Sequence, residues 1–173
     1  MAVFFFIFLT LSAGVLLELV SGNFGLIVPA ALPVVFYFSI ACGWQTGLFC
    51  AIGAGIAIDS IYGRDFPVST LLLSISSGLS IFWILREDSK KLIMNIIPAL
   101  VTGFIYMLPL CAMILYFHGF DWRGFFLAFF RLSFGIFLSL IFFPLLIVIL
   151  DSYGNSLGFP VFRDARDRLL KRF

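Results

Sequence analysis

Six apolar runs follow one another with only short polar breaks, at roughly 3–19, 26–42, 45–61, 67–85, 92–117 and 124–150. A helix crosses the about 30 Å of bilayer hydrocarbon with about 20 residues. Runs of this length and number predict an all-α, polytopic membrane protein with six transmembrane helices. They leave no room for a second domain, so residues 1–173 read as one integral membrane domain. Mean hydropathy is +1.16, with 62% hydrophobic and 12% charged residues. A soluble domain has too little interior to hide that much apolar surface. The second and third runs are short for a crossing. They tilt little, thin the bilayer, or share a broken turn near Gly43.

Basic residues in short loops set orientation. Arg86, Lys90 and Lys91 lie between runs four and five, and Arg163, Arg166, Arg168, Lys171 and Arg172 close the chain. Six crossings put both groups on one side, the cytoplasm, with both termini. The net charge of +2 is thus a topology signal and gives no reason to invoke nucleic acid. The first run lacks a basic flank and a small-x-small cleavage site, so it reads as a permanent span. Phe162, Ala165, Leu169 and Phe173 share one helical face with Arg and Lys opposite. Segment 151–173 therefore reads either as a basic amphipathic cytoplasmic tail on the inner membrane surface or as a frayed solvated one.

From Gly43 to Gly63, through the third run and just beyond each end, every fourth residue is small or acidic: Gly43, Gly47, Ala51, Gly55, Asp59, Gly63. Small residues at this spacing let helices approach closely in lipid, where packing drives association. They predict a helix-packing or partner-binding face. Thr70, Ser74 and Gly78 in run four, and Gly135 and Ser139 in run six, predict that runs three, four and six pack together. Parts of the bulkier first, second and fifth runs then face lipid or a partner. Pro98, Pro109 and Pro144 predict bends in runs five and six.

Glu18, Asp59 and Arg131 fall in the outer half of the membrane. A charge at mid-membrane costs roughly 2.5–3.5 kcal/mol, which pairing offsets. Arg131 is expected to form an intramembrane ion pair with Asp59 or, failing that, with Glu18. The alternative is that each snorkels to the outer surface.

Catalytic patterns are not apparent. An aspartyl dyad needs two carboxylates sharing a proton, and Asp59 comes four residues after Gly55. A serine hydrolase needs a histidine base, and His118 sits at a span end. Cys42, Cys50 and Cys111 lie in or beside apolar runs, without the clustering a metal site requires. Neither a metal nor a cofactor is expected.

In the order of these features the sequence resembles the MreD family, the small membrane subunit of the bacterial rod-shape machinery. Pro29 and Pro33 precede a span rich in Val, Phe and Tyr. Gly47 to Gly55 lead into Asp59-Ser-Ile-Tyr-Gly63, similar to the family's glycine-rich run followed by Asp-x-x-x-Gly. A Ser- and Leu-rich span, a short basic loop, a long span, a final span with Pro144 and a basic tail complete the likeness, which covers roughly 26–150. The resemblance implies a bundle similar to the substrate-binding (S) component of energy-coupling-factor transporters. It implies a non-catalytic scaffold that binds the bitopic protein MreC. Through that complex it would help organise peptidoglycan synthesis by RodA and its transpeptidase, with MreB indirectly. Asp59 and Gly63 would then have a structural or partner-positioning role. The stretch from Gly154 to Phe173 departs from the family in being longer and more charged.

The implied location is the bacterial inner membrane, in contact with its lipids, with a homodimer as one assembly open to it. The alternative function is an S component capturing a small molecule. Such proteins resemble one another in a small-x-x-x-small face on the first span, where this chain offers Thr10 and Gly14. Glu18, Asn23, Asp59, Tyr62 and Arg131 would supply the pocket's polar groups.

Overall fold

A computed structural model describes residues 2–24, 28–84, 96–118, 121–156 and 158. These residues form six α-helices in chain order: α1 (Ala2–Asn23), α2 (Ala31–Ala41), α3 (Trp44–Ile61), α4 (Val68–Ile84), α5 (Ile96–His118) and α6 (Trp122–Ser156). Four of them, α1, α3, α5 and α6, are long and apolar enough to cross a membrane, while α2 and α4 are shorter apolar helices. The basic loop with Arg86, Lys90 and Lys91, and the amphipathic segment from Phe162 to Phe173, lie outside the described residues.

The helix boundaries follow local chemistry. Pro29 precedes α2 and Pro33 is its third residue, where a missing N–H costs little. Pro98 likewise falls in the first turn of α5, and α5 and α6 continue as helix through Pro109 and Pro144. The second and third runs do share a broken turn. Gly43 adopts φ 102°, between the end of α2 and the start of α3. A side chain there would be strained.

The hub of the bundle is α2, whose eleven residues are all buried. This corrects, for the second run, the expectation that parts of the bulkier runs face lipid or a partner. Its large side chains are what the other helices close upon. Phe38 meets Phe6 of α1 edge-on at 6.1 Å, and Phe36 meets Phe143 of α6 at 4.9 Å. Ser39 shares a hydrogen bond of 2.8 Å with Ser77 of α4.

The small residues of α3 bring its neighbours close. A Cβ on Gly47 would fall 2.5 Å from the Ser39 Cα, and one on Gly55 would fall 2.6 Å from the Thr70 amide nitrogen. The stripe thus serves two contacts, α3 on α2 and α3 on α4. Its terminal glycines do something else, since a Cβ on Gly43 or Gly63 would meet open space.

The expected cluster of runs three, four and six forms only in part: α3 packs on α4, but α6 does not join them. The helix pairs in closest association are α3 with α4 and α5 with α6, and the two pairs meet around α2. The cause lies on α5. Gly103 accommodates Ser139, and Gly135 accommodates Met107, so the small residues of α6 are used by α5. The Ser139 hydroxyl donates to the Ala99 carbonyl at 3.2 Å, and the Cys111 thiol donates to the Ala128 carbonyl at 3.4 Å, across the same interface.

Candidate functional site: a buried polar junction at one end of the bundle

Asp59 is the last buried residue of α3, two residues before the helix ends at Ile61, and it is 4% exposed. Beyond it the chain turns through Gly63, at φ 60°. The Gly63 amide donates to Ser60 O at 3.2 Å and the Arg64 amide to Asp59 O at 3.0 Å. This double closure with glycine in the left-handed region ends a helix and satisfies its last carbonyls. It also swings Arg64 back over its own helix. The guanidinium lies 4.9 Å from the Tyr62 ring centroid and donates to Asp59 Oδ1 at 3.1 Å and to Ser69 Oγ at 2.6 Å.

The Asp59 carboxylate faces the start of α4. Oδ1 accepts from the Ser69 amide at 3.0 Å, and Oδ2 accepts from the Thr70 amide at 3.0 Å and from the Thr70 hydroxyl at 3.1 Å. The first amides of a helix have no partner within it, and the helix dipole favours negative charge there. Asp59 is therefore an N-terminal cap delivered from the preceding helix. An ionised carboxylate offers about four acceptor positions. Counting Arg64, all are taken by this chain's own donors.

Glu18 performs the same task for α2. The residue before that helix is Ala30, whose side chain makes no capping bond. Glu18, also 4% exposed, reaches across from α1, and its Oε2 accepts from the Ala31 amide at 3.2 Å. The Tyr106 hydroxyl of α5 donates to Oε1. Tyr106 is itself 1% exposed and also interacts with Ser69, which joins the two carboxylates into one junction.

Tyr62 closes the outer side of the junction. A Cβ on Gly22 would fall 3.1 Å from its Cζ, so the end of α1 rests on this phenol. Burial, and then the Glu18 carboxylate, push the phenol above its ordinary pKa, while Arg64 pulls it back. It stays neutral at physiological pH.

Each sequence-predicted residue now has a place. Gly47, Ala51, Gly55 and Asp59 face the interior on α3, and Gly43 and Gly63 shape its ends. The expected partner of Asp59 is corrected: the ion pair is with Arg64, five residues on. Arg131 is partly buried on α6, near enough to Cys111 of α5 for the two to interact electrostatically. The two acids and Arg131 are not brought together, because α6 packs on α5 and α2 instead of on α3. Sequence reasoning missed Ser69 and Tyr106, and it read Thr70 as a packing residue of run four without its bonds to Asp59. It also missed a second buried bond, in which the Tyr37 hydroxyl of α2 donates to Asp151 Oδ1 of α6 at 3.0 Å. Asp151 was legible only as the first acid after the sixth apolar run.

Set against protein-family models, curated proteins and solved structures, the chain finds no match. The class that the fold and the junction define is an all-helical protein with several helices able to span a membrane.

Proposed function

We propose that this chain is a non-catalytic membrane scaffold of the MreD type, crossing the bacterial inner membrane six times with both termini in the cytoplasm. On this reading it binds an MreC-like bitopic protein and, through it, helps organise peptidoglycan synthesis and cell shape. One observation carries the reading. The Asp59-x-x-x-Gly63 element, the most specific part of the MreD resemblance, spends its carboxylate on Ser69, Thr70 and Arg64 of the same chain. A group whose acceptor positions are already filled supports a structural role better than a chemical one. In this orientation the polar junction lies on the outer side, opposite the basic loop and tail.

Detergent extraction from native membranes, with capture on a tag at the N-terminus, tests the proposal. Co-recovery of an MreC-like protein is the expected result. Recovery with the ATPase subunits of an energy-coupling-factor transporter would replace the reading by that of an S component.

A further inference from the structure

The pair α5 and α6 outreaches the rest of the bundle. Tyr106 marks the level of the polar junction on α5, since its hydroxyl donates to Glu18 of α1. Past that level α5 continues for twelve residues to His118, whereas α1 has five left after Glu18 and α3 has two after Asp59. At about 1.5 Å per residue, α5 and α6 extend about 10 Å further out. There α6 rests on α5 through Ala128, which is buried and accepts from the Cys111 thiol. The helix that covers α6 further down, α2 at Phe143 and Asp151, begins only at the junction, where Glu18 caps Ala31.

The face of α6 turned away from α5 is a single open stripe. Trp122, Phe126, Phe129 and Ser133 follow one another at the four-three-four spacing of a helix seam, with Phe125 and Phe130 beside them. The five aromatics are 54–80% exposed and together present on the order of 600 Å². Two such stripes face to face would cover about 1,200 Å², the lower edge of stable specific interfaces. Lipid covers an apolar stripe as well, so the charges decide the occupant. Asp121 and Arg123, both exposed, stand immediately before and after Trp122, which turns them about 100° to opposite flanks of the stripe. Neither is in an ion pair; the one such pair among the described residues joins Arg64 to Asp59. Two copies in one bilayer share an orientation and are related by a two-fold axis along its normal, so their α6 helices run parallel. In a parallel pair the left flank of each helix faces the right flank of the other. Asp121 of each copy then meets Arg123 of the other. On the Arg123 flank a groove of about 540 Å³, walled by Trp122, Phe126 and Phe130, lies where Phe125 of the other copy arrives. An acid on one flank and a base on the other, at one level, is complementary to itself.

We infer that the outer face of α6 over residues 122–133 is a homodimer interface, on which two copies pack in parallel with Asp121 and Arg123 reciprocally paired. The inference rests on membrane embedding and is independent of the scaffold role.

The test mixes donor- and acceptor-labelled copies of the full chain in phosphatidylethanolamine–phosphatidylglycerol vesicles and reads energy transfer against protein density. The expected result is a saturable dimer. Phe126→Ala, at the centre of the stripe, should weaken it about tenfold or more. Arg123→Glu, which sets two acids against each other on both sides, should weaken it about tenfold. Asp121→Arg combined with Arg123→Asp exchanges the flanks and should restore affinity to within about threefold. Phe82→Ala, equally exposed but on α4, should change nothing. Energy transfer no greater than chance proximity would mean that lipid alone covers the stripe and would overturn the inference. A dimer indifferent to Phe126→Ala, or an exchange variant as weak as Arg123→Glu, would overturn it too.

Discussion

A carboxylate buried in an apolar bundle is held there by what it accepts. For Asp59 those donors are two backbone amides, a hydroxyl and a guanidinium. Removing the carboxylate leaves Arg64 half-buried without its counter-charge and two helix-start amides without acceptors. Asp59→Ala is therefore expected to destabilise the protein by about 3–5 kcal/mol, measured by chemical unfolding in detergent. Asp59→Asn keeps one acceptor oxygen and should lose less. Glu18→Gln retains an oxygen for the Ala31 amide or the Tyr106 hydroxyl and should cost about 1 kcal/mol. The sequence displayed both acids, because each interrupts an apolar run. It did not display their partners. A backbone amide such as that of Ala31 leaves no trace in residue type. Arg64 and Ser69 looked like ordinary turn and helix-start residues, and Thr70 like a small packing residue, until the Gly63 turn folded them over Asp59.

Helix pairs are tied at one end and zipped along their length. Glu18 of α1 caps α2, and Asp59 of α3 caps α4, so each acid fixes the start of the helix that follows its own. The zip is the small-residue face of α3. Gly55→Ala drives a methyl group into the Thr70 backbone and should destabilise by about 1–3 kcal/mol, whereas Gly53→Ala, facing open space on the same helix, should be neutral or stabilising by up to about 1 kcal/mol. Parallel thermal melts of the two variants check this contrast. Gly63→Ala should cost about 1 kcal/mol for a different reason, its positive φ. The spacing of Gly47, Ala51 and Gly55 made this face readable from the sequence. Its contact with α4 was readable as well, from Thr70, Ser74 and Gly78, whereas the choice of α5 over α3 as the neighbour of α6 was not, since run five looked bulky. The choice depended on Ser139 fitting Gly103 and on Met107 fitting Gly135.

The whole molecule is two closely packed helix pairs and α1 arranged around a short, wholly buried α2. The apolar runs made the number and order of the helices legible. They concealed the hub, because an aromatic-rich run looks alike whether lipid or protein surrounds it. The stability of this assembly rests on the polar junction that joins α1, α2, α3, α4 and α5 at one end. A double-mutant cycle on global unfolding of the full chain tests that claim most directly, comparing Asp59 with Arg64 and Asp59 with Arg131. The predicted result is a coupling of about 1–3 kcal/mol for Asp59 and Arg64 and none for Asp59 and Arg131. Coupling to Arg131 with none to Arg64 would contradict the account.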